Sequence, residues 1–263
     1  YISSPKDIDN FPNFASVLES DALENYVLCG FNDPLYIVFS SGTTGKPKCI
    51  THSIGGVLIQ HAKEHLLHIN LGEKQKMFYF TTCGWMMWNW LVGSLFCKSS
   101  IVLYEGSPFY PNPEHLWKIA EKSKVSVFGT SAKYIDALSK SNVVPKNHLT
   151  SSNLRTICST GSPLSPDSYD YILNNIKSDV QIASISGGTD LLSCFVLSNP
   201  LCSVVKGEIQ CRALAMDVDI FNEDGESLVN MEGELVCKIP FPSMPIKFWN
   251  DQNERKYKDA YFE

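Results

Sequence analysis

The fold is decided by one loop rich in glycine and hydroxyl groups, Ser40-Ser41-Gly42-Thr43-Thr44-Gly45-Lys46-Pro47-Lys48. The loop follows an apolar run that is typical of a strand, Tyr36-Ile37-Val38-Phe39. Its glycines let the backbone approach an anion closely, its hydroxyls donate hydrogen bonds, and its lysines offset negative charge. The sequence therefore predicts a phosphate-binding loop at the end of a strand.

The spacing excludes a Walker A phosphate loop. Counting back from Gly45-Lys46, that pattern requires a glycine at position 40 and a Ser or Thr at position 47, where this chain has Ser40 and Pro47. A helix should also follow at once, but Lys48-Cys49-Ile50-Thr51 is typical of a second short strand. We therefore expect a strand-loop-strand unit that binds phosphate in a different way.

Composition limits the class of protein. Hydrophobic residues make up 44% of the 263 positions and charged residues 19%, which suffices for a large core in a soluble globular chain. The formal net charge of -6 argues against a general electrostatic role on nucleic acid or anionic membrane. No apolar run approaches membrane-spanning length, and the start carries no signal-peptide pattern. We expect no nucleic-acid partner and no membrane insertion.

The cysteines indicate a reducing compartment. There are nine of them, with no C-x-x-C pair, and several lie in apolar runs, as do Cys97, Cys158, Cys194 and Cys237. This usage predicts reduced, buried thiols in a protein of the cytosol. A chain that opens on Tyr1 and stops at Glu263 within an aromatic run is also typical of a segment of a longer protein, and we expect it to be one.

Strand-like and helix-like stretches alternate after a polar lead-in that ends near Pro34. Such alternation predicts an α/β fold, a mostly parallel sheet with helices packed on its faces. The predicted strands cover residues 36–39, 76–82, 101–104, 125–129, 154–159 and 180–186. The predicted helices cover residues 53–69, 87–98, 113–124, 132–140 and 166–176.

The sequence pattern changes beyond Pro200 to short runs of alternating apolar and polar residues separated by turns. Residues 217–221 and 233–237 flank the turn-rich segment that starts with Asn222-Glu223-Asp224-Gly225, which predicts a small antiparallel β region. We therefore divide the chain into three parts. These are an incomplete N-terminal lead-in (1–34), an α/β nucleotide-binding core (35–200) and a β-hairpin subdomain (201–263) that ends before any further C-terminal domain.

The loop and four later motifs resemble those of the adenylate-forming enzymes, which include acyl-CoA synthetases, luciferases and peptide-synthetase adenylation domains. The loop is similar to the family signature Ser/Thr-Ser/Gly-Gly-Ser/Thr-Thr-Gly-x-Pro-Lys. The later motifs follow in the family's order, and they are Thr81-Thr82-Cys83-Gly84-Trp85, Thr160-Gly161-Ser162-Pro163, Ser186-Gly187-Gly188-Thr189-Asp190, and the hairpin Phe221-Asn222-Glu223-Asp224-Gly225 with Glu232-Gly233-Glu234-Leu235. The resemblance implies part of an adenylate-forming N-terminal domain.

Two departures from the acetyl-CoA synthetase pattern indicate a larger acid. Gly187 stands where those enzymes have a tryptophan that closes the acyl pocket, and replacing an indole with hydrogen opens space. Met86-Met87 replaces a Val-Thr pair, and thioether side chains adapt to larger substrates. Together with Trp85, these residues are the predicted substrate pocket. Acetoacetate fits such a pocket better than acetate, and the block 84–90 is similar to that of the acetoacetate-activating members of the family.

The resemblance implies an AMP-forming acid-thiol ligase that uses ATP, Mg²⁺ and coenzyme A. The acid would first form an acyl-adenylate and pyrophosphate, and coenzyme A would then displace AMP. Asp190 stands where the family has a glutamate that helps to hold Mg²⁺, and Thr189 would meet the α-phosphate. The other implied nucleotide contacts are the loop residues Ser40, Ser41, Gly42, Thr43, Thr44, Gly45, Lys46 and Lys48, the adenine turn Gly161, Ser162 and Pro163, and Gly188.

No catalytic residue is assigned within these 263 residues. In the family, the lysine that drives adenylation lies C-terminal to the hairpin region, and Lys247, Lys256 and Lys258 lie too early to match it. We therefore expect the isolated chain to bind nucleotide weakly and to turn over little or nothing.

Several alternatives stay open at this point. The chain could be a catalytically inactive nucleotide-binding fragment or splice isoform, or part of a synthetase for another short or medium-chain acid. An unrelated ATP hydrolase would need a helix directly after the loop lysine and a Walker B acid, and the sequence has neither. Two further patterns are interpreted as structural: His61, His65 and His68 as a solvated helix face, and residues 251–259 as a solvated segment.

Overall fold

A computed structural model of the chain describes residues 14–22, 24–40, 47–150 and 153–262. The predicted loop residues 41–46 lie outside the described residues. The chain divides into two compact units, Tyr1–Gly30 and Phe31–Glu263. The first unit contains the short helix α1 (Phe14–Leu18), and every other helix and strand named below belongs to the second.

A five-stranded parallel sheet occupies the centre of the second unit, as the alternating pattern predicted. Its strands are β3 (Lys76–Tyr79), β4 (Ser100–Val102), β5 (Val127–Ser131), β6 (Thr156–Thr160) and β7 (Gln181–Ser184). They are ordered β4-β3-β5-β6-β7, so the chain reverses its direction across the sheet between β3 and β5. In open α/β sheets, ligands bind at the carboxyl ends of the strands near such a reversal.

Alternate residues of each strand enter two different cores. Met77, Val127 and Cys158 pack in one cluster on one face of the sheet. Their neighbours Phe78 and Phe128 pack in a second cluster on the other face. Both faces are covered by helices, which explains why residues on both sides of β5, β6 and β7 are buried rather than alternately exposed.

The covering helices follow the predicted order. They are α2 (Ile54–Lys63), α3 (Met86–Gly93), α4 (His115–Ser123), α5 (Ala132–Lys140) and α6 (Pro166–Tyr171). Serine side chains cap three of them, because the hydroxyls of Ser53, Ser131 and Ser165 accept from backbone N–H groups in the first turn. Pro166 occupies a first-turn position of α6, whereas Pro113, where the predicted third helix began, lies before α4.

Three antiparallel sheets complete the second unit. One joins β1 (Pro34–Ser40), β2 (Lys48–Ser53) and β13 (Lys247–Phe248); another joins β8 (Ser186–Gly188), β9 (Ser193–Leu197) and β10 (Cys211–Arg212); the third is the predicted hairpin of β11 (Val218–Phe221) and β12 (Glu234–Cys237). The predicted strand over 180–186 therefore ends earlier, at Ser184, and only its last residue, Ser186, belongs to β8. The chain leaves the parallel sheet after β7, and β8 pairs instead with β9.

The interpretation of three histidines as a solvated face was wrong. His61, His65 and His68 are 2%, 0% and 3% exposed. Each donates one ring N–H to a backbone carbonyl at 2.8 Å, on Leu192, Trp90 and Ser198 respectively. His61 lies on α2, and His65 and His68 lie on the π-helical turn that continues it, Glu64–His68; β9 and α3 pack against this side, so the polar groups are satisfied internally.

The interpretation of residues 251–259 as a solvated segment was also incomplete. Helix α7 (Arg255–Tyr261) forms there, and Asp251 accepts hydrogen bonds from the backbone N–H groups of Lys256 and Tyr257. The rings of Tyr257 and Tyr261 lie 5.5 and 5.6 Å from the ring of Phe248. Aromatic packing thus holds this helix against the β1-β2-β13 sheet.

All nine cysteines are free thiols, but only three of them, Cys97, Cys158 and Cys194, are buried. Cys237, which the sequence placed among the buried thiols, is intermediate because β12 belongs to a two-stranded sheet. Within the part of the chain that the structure describes, no helix has the length and apolarity needed to cross a membrane.

Candidate functional site

The predicted motifs converge at the carboxyl edge of the parallel sheet. Residues 81–85 follow β3, residues 160–163 follow β6, and residues 186–190 follow β7. Parallel strands end at the same edge, so these three segments lie on one side of the sheet. The β1-β2 hairpin brings Lys48, the last residue of the predicted phosphate loop, to the same place, where it contacts Asp190.

The hairpin brackets the phosphate loop. Ser40 and Lys48, the first and last residues of the predicted phosphate loop, face each other as the last pair of its ladder. The Ser40 hydroxyl is buried and has no hydrogen-bond partner among the described residues. An orphaned buried hydroxyl at the base of the loop is the kind of group that a phosphate ligand or the loop itself would satisfy.

Lys48 links this loop to the motif after β7. Its ammonium Nζ lies 3.3 Å from Oδ1 of Asp190, with the two side chains 29% and 39% exposed. Residues that are 142 positions apart in the sequence therefore meet as an ion pair. Two motifs that the sequence assigned to phosphate and to Mg²⁺ thus form one charged cluster.

Tyr261 is a third member of this cluster. Its hydroxyl donates to Asp190 Oδ1 at 2.7 Å, and Lys48 Nζ lies 5.2 Å from the centre of its ring. Burial, followed by the hydrogen bond to the Asp190 carboxylate, raises the pKa of Tyr261, so the phenol remains a proton donor at neutral pH. Sequence reasoning missed Tyr261. The available signal was the spacing of Tyr257 and Tyr261, which lie on one face of a helix.

His52 lies beside the backbone of the same motif and bonds the neighbouring Ser243 segment. It is fully buried, with Nδ1 2.8 Å from the Ser243 carbonyl and Nε2 3.2 Å from the Thr189 carbonyl. Burial lowers the pKa of His52, although both carbonyl contacts oppose that shift. A neutral imidazole donates from one nitrogen only, and the shorter contact to Ser243 is the better donor bond. Sequence reasoning missed His52 because its partners are 137 and 191 positions away.

The turn after β6 meets the segment after β3. Gly161 has a φ of +88°, a conformation that favours glycine, and a Cβ built there would lie 3.8 Å from Cζ2 of Trp85. Thr160 Oγ1 donates to the Ile185 carbonyl at 2.8 Å, which ties this turn to the end of β7. The predicted adenine turn and the predicted acyl-pocket residue Trp85 are therefore neighbours, whereas Ser162 and Pro163 lie partly exposed and exposed beyond them.

The remaining predicted pocket residues are less open than expected. Met86 and Met87 are 9% and 2% exposed and belong to a hydrophobic core. A Cβ on Gly187 would lie 2.1 Å from the Ser193 carbonyl oxygen, because β9 runs directly beside it. The missing side chain at position 187 thus leaves room for a neighbouring strand. Contact between any of these three residues and an acid stays a prediction.

A buried carboxylate supports the strand opposite the motif. Glu64 is fully buried and accepts from Trp90 Nε1 at 2.7 Å, from Gln60 Nε2 at 3.2 Å and from the hydroxyl of Ser193. Ser193 pairs with Gly188 in the β8-β9 ladder. Glu64 therefore holds the strand on which Gly188-Thr189-Asp190 depends for its position.

The donor set fits Mg²⁺ held jointly by protein and phosphates. Asp190 offers a hard carboxylate, and only its Oδ1 is engaged by Lys48 and Tyr261. Within the described ranges, no group of three or more His, Cys, Asp or Glu side chains could hold a metal ion alone. A site with one carboxylate is what Mg²⁺ uses when substrate phosphates and water supply its other ligands.

This chain belongs to the AMP-binding enzyme family, whose sequence model matches residues 7–244. It is 54% identical over 233 residues to the acetoacetyl-coenzyme A synthetase of Rhizobium meliloti (strain 1021), a match that covers 89% of this chain and 36% of that protein. It is 45% identical over 276 residues to the acetoacetyl-CoA synthetase of Gallus gallus, covering all of this chain and 41% of that protein.

A solved structure shows the same fold. The acetoacetyl-CoA synthetase from Streptomyces lividans superposes with a TM-score of 0.89 at 42% identity, covering 95% of this chain and 39% of that one. The chain thus spans about two fifths or less of the length of these relatives. The α/β architecture with a parallel sheet and small antiparallel sheets, predicted from the sequence, is confirmed.

Proposed function

We propose that this chain is the nucleotide- and acyl-binding part of an AMP-forming ligase that joins acetoacetate to coenzyme A. The observation that carries the proposal is the contact between Lys48 and Asp190, which unites the phosphate loop with the Thr189-Asp190 motif. The similarity to acetoacetyl-CoA synthetases from distant organisms supports acetoacetate as the acid.

In the first half-reaction, a carboxylate oxygen of acetoacetate attacks the α-phosphorus of ATP, and pyrophosphate leaves. This step needs no side-chain nucleophile, so the chain contributes position and charge. The loop residues 40–48 would hold the β- and γ-phosphates, with the Lys48 ammonium as a nearby cation. Bound Mg²⁺ supplies further positive charge against the phosphate oxygens. Asp190 would hold it through the oxygen that Tyr261 and Lys48 leave open.

In the second half-reaction, the coenzyme A thiolate attacks the acyl carbon and AMP leaves. The adenine would lie against the Gly161-Ser162-Pro163 turn, and the acyl group against Trp85, because these two elements are neighbours in the structure. Met86 and Met87 would influence the acyl site by packing against Trp85 rather than by contacting the acyl group. We further propose that the protein acts in the cytosol, which the nine free thiols support.

Titration calorimetry of the 263-residue chain with ATP and Mg²⁺ tests the nucleotide site. Lys48→Gln should weaken binding by about tenfold, the scale of one charge-assisted contact. Lys118→Gln is the matched control, since Lys118 also forms an ion pair with a carboxylate, on Glu114, but far from these motifs in the sequence. Equal binding by the wild-type chain and Lys48→Gln would contradict the proposed site.

A pyrophosphate-exchange assay with a panel of acids tests the reaction. The 263 residues alone should turn over little, since the resemblance assigns the adenylation lysine to a later part of the family's sequence. In a version extended with the C-terminal domain of a relative, acetoacetate should be preferred to acetate. Full exchange by the 263 residues, or a preference for acetate in the extended version, would contradict the proposal.

A further inference from the structure

A second pocket lies at the opposite edge of the parallel sheet from the candidate site. It has a volume of about 350 Å³ and is lined by the cations Lys74, Lys76, Lys124 and Arg155 together with Gln75, Ser126 and Asn153. These residues immediately precede or begin β3, β5 and β6. The pocket therefore belongs to the amino ends of the strands, where none of the predicted motifs lies.

Backbone hydrogen bonds hold the lining residues side by side. The N–H of Ser126 donates to the Lys76 carbonyl at 2.8 Å, and the N–H of Arg155 donates to the Ser126 carbonyl at 2.8 Å. Residues on neighbouring strands lie about 4.8 Å apart. Lys74 and Lys124 join them from turns in which both have positive φ, 64° and 56°. The convergence of charge is thus built into the sheet and its turns.

The four cations have no acidic partner among the described residues, although the chain as a whole carries a net charge of -6. Among the described residues that line the pocket there is no carboxylate, and each of their side chains carries a hydrogen-bond donor. Two side chains are held in place: Arg155 Nη2 donates to the Asn70 carbonyl at 3.0 Å, and Gln75 Oε1 accepts from Gly72 N at 3.0 Å. Four like charges at one concavity repel one another unless an anion offsets them.

We propose that this pocket binds a compact phosphate compound that carries more than one anionic group, of the pyrophosphate class. Four cations match several negative charges better than one. The volume lies within the range of small-molecule sites and is too confined for an extended polymer. Since a strand rises about 3.3 Å per residue, the two edges of the five-residue strands β5 and β6 are about 15 Å apart. The ligand is therefore separate from any nucleotide at the candidate site.

Calorimetric titration of the 263-residue chain with sodium pyrophosphate, without Mg²⁺ and at constant ionic strength, tests the proposal. The titrations are made in the Lys48→Gln background, so that the phosphate loop contributes less to the signal. Lys76→Gln and Lys74→Gln should each weaken binding by about tenfold or more, the loss expected for one charged contact. Orthophosphate should bind more weakly than pyrophosphate.

Lys133→Gln is the matched control, because Lys133 is an exposed lysine on α5 outside the pocket. It should leave pyrophosphate binding unchanged. The unfolding midpoint of each variant, measured without ligand, shows whether that variant is folded. Two pocket variants are used so that the test still decides if one of them does not fold. Pyrophosphate binding that is unaffected by both pocket variants, or reduced equally by Lys133→Gln, would overturn the proposal. Equal affinity for orthophosphate would overturn its requirement for several charges.

Discussion

The hydroxyl of Tyr261 donates a 2.7 Å hydrogen bond to Oδ1 of Asp190, the same oxygen that lies 3.3 Å from the ammonium of Lys48. One carboxylate oxygen thus binds helix α7, strand β2 and the turn after β7 to one another. The other oxygen of Asp190 remains for a ligand. Tyr261 is therefore a positioning residue for the carboxylate that the sequence assigned to Mg²⁺.

Tyr261→Phe removes this hydroxyl and keeps the ring. Because a hydrogen bond to a partly exposed carboxylate contributes about 1 kcal/mol, we expect the free energy of unfolding to fall by about that amount. Urea unfolding of Tyr261→Phe, Asp190→Asn and the double variant gives the coupling energy between the two residues.

Tyr257→Phe provides the control for this cycle. Tyr257 lies on the same helix, but its hydroxyl donates to the Pro245 carbonyl at 2.7 Å. Tyr257→Phe should lower the free energy of unfolding to a similar extent and yet show no coupling to Asp190→Asn. A coupling energy near zero for Tyr261 as well would show that its contact with Asp190 is not formed in solution.

Any side chain at position 187 is expected to clash with the backbone of the neighbouring strand. A Cβ at this position would lie 2.1 Å from the Ser193 carbonyl oxygen and 2.6 Å from the Cys194 Cα, both of them backbone atoms that cannot turn aside. Gly187→Ala should therefore destabilise the chain by about 1–3 kcal/mol, as overpacking does, and Gly187→Trp by more. Urea unfolding measures both.

Gly188→Ala is the matched control, since the nearest atom to its Cβ would be Leu191 Cδ2 at 3.8 Å, an ordinary contact. It should cost clearly less than Gly187→Ala. If both cost the same, β8 and β9 are not as close at Gly187 as described. A change of acid preference in Gly187→Trp carries weight only when measured on protein shown to be folded.

The sequence was enough to predict the sheet and its helices because the signal is local. Pairs such as Met77 with Phe78 and Val127 with Phe128 show continuous burial on both sides of a strand, and serines mark where the helices begin. The early end of the predicted strand 180–186 was not predictable in this way. β8 begins at its last residue, Ser186, contains two glycines, and depends for its position on β9 rather than on its own periodicity.

The candidate site was predictable as a set of motifs but not as a set of contacts. The motif residues Lys48 and Asp190 meet in the structure, and their roles toward phosphate and Mg²⁺ stay predictions. Tyr261 and His52 were not found, because their contacts join residues 71 and 137 positions apart and depend on how separate sheets pack. The buried histidines were misassigned for a similar reason, since histidine polarity alone does not show that a backbone carbonyl from a distant part of the sequence lies opposite.

Acid should destabilise the chain through these histidines. Burial is the main cause that lowers the pKa of His61, and it lowers the pKa of His65 to about 3. At His61 the nearby Glu64 opposes this shift and Lys63 adds to it. Both rings are therefore neutral in the folded state, while the unfolded chain takes up protons below about pH 6.5. Their contribution to stability is complete above that pH and is lost as the pH falls toward the folded pKa, by up to about 1.4 kcal/mol per pH unit for each.

Urea unfolding at pH 7, 6 and 5 measures this slope. His65→Gln should flatten it between pH 6 and 5, because one proton-binding group of the unfolded chain has been removed. A free energy of unfolding that does not change from pH 7 to 5 would contradict the burial of neutral histidines.

Glu64 should be among the most sensitive positions of the second unit. Its carboxylate accepts from Trp90 Nε1, Gln60 Nε2 and the Ser193 hydroxyl, all within a fully buried environment. Glu64→Ala leaves these donors without an acceptor and opens a cavity, so we expect a loss of about 3–5 kcal/mol. Glu64→Gln retains one acceptor oxygen but places an amide NH₂ among donors, and should cost less than Glu64→Ala. Glu73→Ala, at an exposed glutamate, is the control and should change stability by less than about 0.5 kcal/mol.

Because Ser193 pairs with Gly188, Glu64→Gln should also weaken ATP binding in calorimetry while the protein remains folded. Full ATP affinity in folded Glu64→Gln would show that this network supports the fold without positioning the site.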